Sequence, residues 1–243
     1  MASRIEIGHA RNLTNFENLI VAVMSYGNNY VPYKASLELS QLEFIFTQAQ
    51  QALTTLTDKR SEYKIRVNDR QTIFAQLRPL ATRVMAALNN SDADNKLIED
   101  AKSFHFKIQG RRINNKPKAN EALSATAPIR HSVSQQSYTQ LIQHFEGLLS
   151  LLRRAPAYHP SQNDLQITSL EQFKVQLAQK SRAVMNAASD LTDARNARDY
   201  IFYKGPNALV EIAANVKAEV KSTFGTNSPE FAKINKCLFR VIL

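Results

Sequence analysis

The chain has little of what closely turned β-structure requires. Its 243 residues include six glycines, eight prolines, one cysteine and no tryptophan. Tight turns between strands draw on glycine and proline, whereas long helices tolerate a composition dominated by Ala, Leu, Gln, Asn, Lys and Arg. The hydrophobic fraction of 44% is large enough to form a sizeable core. The composition therefore predicts a folded, all-α protein.

The residue patterns of catalytic and metal sites are also missing. Cys237 is the single cysteine, so an intramolecular disulfide and a zinc site made of cysteines alone are excluded. It lies in an apolar stretch and is interpreted as a buried small hydrophobe rather than a nucleophile. The five histidines lack metal-binding spacing, and glycine-rich phosphate loops and nucleophile elbows are absent. We predict no catalytic residue, no cofactor and no metal.

An uninterrupted apolar run of about 20 residues, as a membrane span requires, does not occur. Residues 1–8 show no basic stretch before an apolar run, so no secretory signal is predicted and the expected location is cytoplasmic. A membrane-active helical toxin is a remote alternative, because it needs an apolar hairpin and only the short stretches 18–24 and 148–152 are available.

The most informative pattern is an internal similarity at an offset of 128 residues. Residues 37–74 and 165–202 share ten identities, among them Leu42 with Leu170 and Arg70 with Arg198, where about two would be expected by chance. We predict two pseudo-symmetric repeats at 1–108 and 130–243, each with a short, a long and a medium helix. Residues 109–129, which contain Gly110, Pro117 and Pro128, are predicted to form a basic, flexible linker.

Apolar residues recur every three or four positions along both long helices, for example at Leu42, Ile45, Ala49, Ala52 and Leu56. This spacing predicts coiled-coil-like packing along one seam and an elongated helical bundle. Helix starts are predicted from capping chemistry. The capping pairs are Thr14 with Glu17, Ser40 with Glu43, Ser91 with Asp94, Thr168 with Glu171, and Ser228 before Pro229. Pro79 and Pro206 are expected to kink or interrupt the far end of each long helix.

Some seam positions are polar. Asn68 and Arg70 of the first repeat coincide with Asn196 and Arg198 of the second. A buried arginine must be paired, so the favoured interpretation is a polar layer that sets the register, with Asp69, Asp193 or Asp199 as carboxylates. The alternative is a pair of arginines that binds a ligand between the long helices.

The formal net charge of +10 favours anionic partners. Positive charge concentrates in one segment that contains no acidic residue and also carries Phe104 and Phe106. Its candidate contacts for an anion or a nucleic acid are Lys102, Lys107, Arg111, Arg112, Lys116 and Lys118. Aromatic side chains among basic ones occur in single-strand nucleic-acid grooves. Solubility through dispersed surface charge is the competing interpretation of the net charge.

Four stretches resemble a family of uncharacterised helical proteins of Bacteroidetes bacteria: GHARNLTNF at 8–16, LRPLATR at 77–83, KIQGRR at 107–112 and SQQSY at 134–138. The similarity extends over nearly the whole chain. The resemblance implies a bacterial origin, and it implies no activity, ligand or catalytic residue.

Together these patterns predict a non-enzymatic binding or scaffolding protein that contacts a protein partner through its long helices. The alternative is nucleic-acid binding through the basic segment 102–118. Oligomeric state and partner identity are left open.

Overall fold

The computed structural model describes residues 4–111 and 136–242, with side chains from Gly8 onward. Its α-helices are α1 (Arg4–Met24), α2 (Leu39–Asn89), α3 (Asn95–Gln109), α4 (Tyr138–Leu152), α5 (Ile167–Asp199), α6 (Leu209–Phe224) and α7 (Pro229–Asn235). Short 3-10 turns precede α2 and α5, and residues Tyr200–Lys204 form a π-helical turn directly after α5. No strand occurs in the described residues. The predicted all-α helical bundle is confirmed.

The chain divides into two compact units. The terminal unit combines Met1–Tyr63 with Ala187–Leu243, and the central unit is Lys64–Asn186. Each unit therefore contains part of α2 and part of α5, and each draws on both predicted repeats. The repeat boundaries 1–108 and 130–243 thus do not delimit the compact units. Most of the predicted linker 109–129 lies outside the described residues.

The core of the terminal unit is formed by α1, the start of α2, the π-helical turn, α6 and α7. One face of α1 contributes Phe16, Leu19 and Val23, which recur at the three- and four-residue spacing of a helix stripe. A smaller cluster of Leu56, Leu191 and Ala194 joins the part of α2 to the part of α5 within this unit.

The core of the central unit lies among the end of α2, α3, α4 and the start of α5. Phe145 of α4 is fully buried and meets the ring of Phe173 edge to face, with centroids 5.9 Å apart. Gly147 of α4 faces Phe104 of α3 so closely that a Cβ atom at this position would overlap the phenylalanine ring. The missing side chain therefore permits the close packing of α3 on α4.

The same local structure recurs at the offset of 128 residues. The Tyr30 hydroxyl donates to the Leu37 carbonyl at 2.9 Å, and the Tyr158 hydroxyl donates to the Leu165 carbonyl at 2.9 Å. In both places a 3-10 turn follows, at Ala35–Leu37 and at Asn163–Leu165, and a long helix begins two residues later. Burial raises the pKa of both tyrosines to about 12.

Several predicted helix starts are corrected. Thr14 lies inside α1, which already begins at Arg4, so the predicted start there is wrong. α2 and α5 begin one residue before Ser40 and Thr168, which are therefore inside the helices and do not cap them. Ser228 does cap α7, because its hydroxyl accepts from the Phe231 amide.

The two helix-breaking prolines behave differently. Pro79 lies inside α2, which continues to Asn89, whereas Pro206 follows the end of the π-helical turn. The second site has two further helix-ending features. A Cβ atom at Gly205 would lie 2.9 Å from the Tyr200 carbonyl oxygen, and Asn207 adopts a left-handed backbone with φ of 58°. Neither feature accompanies Pro79, whose neighbours Arg78 and Leu80 are good helix formers.

Candidate binding site

The predicted seam residues of the second repeat separate in the terminal unit. Arg198 is buried, and its Nε and Nη2 atoms donate to Asp199 Oδ1 at 3.0 and 2.6 Å. Asn196 is exposed, contrary to its predicted place in the seam. Two residues along a helix correspond to a rotation of about 200°, so Asn196 points away from the face that Arg198 occupies.

The corresponding residues of the first repeat lie in the central unit. The guanidinium of Arg70 is 4.0 Å from the centre of the Tyr138 ring, a cation–π contact. Its Nε atom is buried without a hydrogen-bond partner among the described residues. Asn68 is exposed for the same geometric reason as Asn196, so its predicted seam position is also corrected. Asp69, a predicted carboxylate of the polar layer, pairs with Lys180 at 2.9 Å.

The predicted basic segment is described only in part. Lys102 and Arg111 are exposed, and the ammonium of Lys107 lies 5.3 Å from the centre of the Phe104 ring. Arg112, Lys116 and Lys118 lie outside the described residues. The described members belong to α3 and the residues just after it, in the central unit.

Positive charge is concentrated in the central unit. Residues 64–186 contain 18 Lys and Arg against nine Asp and Glu, a net charge of +9, and the terminal unit contains 13 against 12, a net charge of +1. An anionic partner is therefore attracted to the central unit far more than to the terminal unit.

A buried polar cluster in the terminal unit holds the chain's last residues against α1. Asn12 Nδ2 donates to the Arg240 carbonyl at 2.7 Å, and the Arg240 amide donates to Asn12 Oδ1 at 3.1 Å. His9 Nδ1 and the Tyr203 hydroxyl share a hydrogen bond of 2.7 Å, and Asn12 Nδ2 donates to the same hydroxyl at 3.2 Å. One carboxamide thus binds both polar backbone groups of Arg240.

His9 is only 1% exposed, and its Nε2 atom has no hydrogen-bond partner among the described residues. Burial, reinforced by the nearby Arg198 charge and opposed by Asp199, lowers the pKa of His9 to about 4. The imidazole is therefore neutral at pH 7. Because its ring is enclosed, we assign this cluster to the stability of the terminal unit and not to chemistry on a substrate.

Sequence reasoning missed this cluster, although a signal was present. His9 and Asn12 precede Phe16, Leu19 and Val23 at the same three- and four-residue spacing, so they continue the buried stripe of α1. A polar residue on such a stripe must find a partner inside the protein.

The described residues contain no group of three or more His, Cys, Asp or Glu side chains placed to hold a metal ion. Cys237 is buried, and burial raises the pKa of its thiol. None of the helices in the described ranges combines the length and apolarity needed to cross a bilayer. Leu148, Leu149 and Leu152, from the apolar stretch 148–152, lie in the core of the central unit.

An open groove in the central unit is the candidate binding site, and we call it the α4–α5 groove. It has a volume of about 570 Å³ and is lined by Ile142, Gln143 and Glu146 of α4 and by Lys174, Val175, Ala178, Gln179 and Arg182 of α5. Val175 is 49% exposed, and Met185, three residues beyond Arg182, is 70% exposed. The positions 175, 178, 182 and 185 follow the spacing of a single helix face.

The charges of the groove are unevenly paired. Glu146 accepts from Lys174 at 2.6 Å and from Arg153 at 3.0 Å, and the Lys174 hydrogen bond is the main cause of its lowered pKa. Arg182 is exposed and has no hydrogen-bond or ion-pair partner among the described residues. The groove therefore combines an apolar strip with one uncommitted positive charge.

Comparison with protein-family models, with curated proteins and with solved structures finds no match for this chain. The resemblance to helical proteins of Bacteroidetes bacteria stays a prediction.

Proposed function

We propose that this chain is a non-catalytic binding protein and that the α4–α5 groove is where its long helix α5 receives a protein partner. The observation that carries the proposal is one face of α5, on which Val175 and Ala178 line the open groove and the exposed Met185 follows three residues beyond Arg182. Clustered exposed apolar side chains on a folded surface mark interaction sites, whereas single ones do not.

The shape and charge of the groove support a particular kind of partner. Two helices with an apolar strip between them accept a third, amphipathic helix that presents apolar residues at positions i, i+3 or i+4, and i+7. The unpaired Arg182 and the net charge of +9 on the central unit favour acidic residues on that helix. The same charge disfavours two central units facing each other, so a second copy of the chain is a poor occupant.

The test uses a designed acidic amphipathic peptide of about 18 residues, roughly five helical turns. Its leucines follow the helix spacing and its other positions are mostly glutamate. We expect it to bind the full chain, and Val175→Asp is expected to weaken binding at least about tenfold because a carboxylate would enter the apolar strip. Fluorescence anisotropy of the labelled peptide measures the affinity.

Two control substitutions distinguish loss of contacts in the groove from the effect of a new charge elsewhere in the central unit. Ile65→Asp changes a 56% exposed aliphatic residue of α2 in the same unit and is expected to leave the affinity unchanged. Arg182→Glu is expected to weaken binding more than Lys96→Glu, which alters the net charge equally at an exposed site on α3. Equal effects within either pair, or equal binding of a scrambled peptide, would contradict the proposal.

Nucleic-acid binding through the basic segment is the second candidate, and the concentration of charge in the central unit favours it. It predicts affinity for single-stranded DNA that falls steeply with salt. Replacement of Arg111, Arg112, Lys116 and Lys118 by Gln is then expected to abolish that affinity. Binding that is undetectable at low salt, or that persists unchanged at high salt, would exclude this candidate.

We also infer that the chain contains two diverged copies of one helical module. The identities at the offset of 128 residues support this, as do the matching tyrosine hydrogen bonds and helix starts at that offset. The coiled-coil character of the long helices, the bacterial origin and the cytoplasmic location stay predictions.

A further inference from the structure

A second cavity in the central unit is lined by uncharged hydrogen-bonding side chains. It has a volume of about 540 Å³ and lies between the end of α2 and the start of α5. Gln76, Gln172, Gln176 and Ser169 line it together with the apolar residues Leu80 and Phe173. None of its lining residues belongs to the α4–α5 groove. The cavity is therefore a separate candidate site, within the usual size range of ligand pockets.

Arg83 and Asp164 are the charged residues among the described residues that line this cavity, and they neutralise each other. Arg83 donates to both carboxylate oxygens of Asp164, at 2.5 and 3.2 Å, and this hydrogen bonding lowers the pKa of Asp164. The three glutamine side chains have no hydrogen-bond partner among the described residues. What the cavity offers a ligand is thus three exposed carboxamides beside the apolar side chains of Leu80 and Phe173. A neutral ligand rich in amide groups fits this chemistry best.

The spacing of Gln172 and Gln176 matches the backbone repeat of an extended polypeptide. Gln172 and Gln176 are one helical turn apart on α5, a rise of about 6 Å. In an extended polypeptide, every second residue turns its N–H and C=O to the same side, with a repeat of about 6.7 Å. Two carboxamides at this spacing can therefore bind residues i and i+2 of an extended segment.

The protein already contains one such contact. In the terminal unit, the carboxamide of Asn12 binds both the N–H and the C=O of Arg240, a residue in the non-helical end of the chain. The same pairing of a carboxamide with the two backbone groups of one residue is what the cavity glutamines can offer to a separate chain.

We propose that the glutamine-lined cavity between α2 and α5 binds an extended, uncharged polypeptide segment through its backbone. Gln172 and Gln176 bind alternate residues of the segment from one side, and Gln76 reaches it from α2. The side chain between the two bound residues packs on Leu80 and Phe173. Arg83 and Asp164 pair with each other at this cavity. A charged side chain of the bound segment would therefore find no unpaired opposite charge there.

The experiment follows the glutamine side-chain amide signals of the ¹⁵N-labelled full chain by NMR. The probe is a pool of capped octapeptides made of Ser, Thr, Val and Leu, added to about 1 mM because a contact of a few hydrogen bonds is weak. We expect the side-chain signals of Gln76, Gln172 and Gln176 to shift. A second pool, N-methylated at alternate residues, is expected to leave them in place because the backbone donors are blocked.

Variants and a competing ligand complete the test. Gln172→Met with Gln176→Met keeps side-chain length and helix propensity and is expected to weaken binding at least about tenfold. Gln41→Met with Gln48→Met, at exposed positions of α2 in the terminal unit, is expected to have no effect. The proposal is overturned by unshifted signals, by equal shifts with the N-methylated pool, or by unchanged affinity of the Gln172/Gln176 variant. Equal shifts with adenosine, a neutral ligand that has no peptide backbone, would also overturn it.

Discussion

Between pH 6.5 and pH 4 the protein is expected to lose about 3 kcal/mol of its free energy of unfolding through His9 alone. The pKa of His9 falls from 6.5 to about 4 on folding because the ring is buried beside Arg198. As the pH falls below 6.5, His9 therefore becomes protonated in the unfolded chain, whereas in the folded chain it stays neutral until about pH 4. The contribution of neutral His9 to the free energy of unfolding is fully present above pH 6.5 and decreases as the pH falls from 6.5 to 4.

Urea unfolding at several pH values checks this expectation, with His9→Gln as the control. The glutamine keeps a polar group near Tyr203 and has no titrating ring. The difference in unfolding free energy between pH 6.5 and pH 4 should therefore be about 3 kcal/mol smaller in the variant. His105, whose pKa burial also lowers, contributes equally to both proteins and cancels in this comparison. Identical pH dependence in the two proteins would show that His9 is not buried in its neutral form.

Phe145→Ala is expected to destabilise the protein by about 3–5 kcal/mol. The side chain is fully buried in the core of the central unit, and its removal leaves a cavity and abolishes the edge-to-face contact with Phe173. The loss combines the transfer free energy of the ring with the unfilled volume.

Phe44→Ala is the matched control for this substitution. Phe44 is 56% exposed on α2, so its loss is expected to change stability by no more than about 0.5 kcal/mol. Denaturant midpoints measured side by side compare the two variants. Similar destabilisation by both would mean that the buried and exposed faces are assigned wrongly.

The fold class and the long helices could be predicted from the sequence because their signal is local. The stripe of Leu42, Ala49 and Leu56 specifies which face of α2 is buried, whatever packs on it. The composition of the compact units could not be predicted in the same way. An apolar stripe does not show which other stripe it packs against. The pairing of the predicted repeats 1–108 and 130–243 was therefore left open by the sequence, and each compact unit combines parts of both.

The ends of the helices also could not be predicted from single capping or breaking residues. Thr14 and Glu17 have the spacing of a capping box, yet α1 runs through them because the buried stripe continues backward to His9 and Asn12. Pro206 ends its helical segment only together with Gly205 and Asn207, and Pro79 without such neighbours does not. A capping or breaking residue is thus decisive only when its surroundings agree with it.

The candidate site could be predicted least. Val175, Ala178 and Met185 are unremarkable residues in a helix, and their exposure depends on where α4 lies beside α5. The three glutamines at 76, 172 and 176 come together only when α2 and α5 are placed side by side. Conversely, Asn68 and Asn196 match between the repeats but are exposed, so sequence identity alone did not identify buried positions.

Hydrogen exchange of the full chain, with and without the acidic amphipathic peptide, tests whether a partner binds in the α4–α5 groove. We expect the peptide to slow exchange in α4, residues Tyr138–Leu152, and in the part of α5 from Ile167 to Asn186, with no change in α1 or α6. Slowed exchange in α1 and α6, or no change anywhere at saturating peptide, would contradict the assignment of partner binding to the α4–α5 groove.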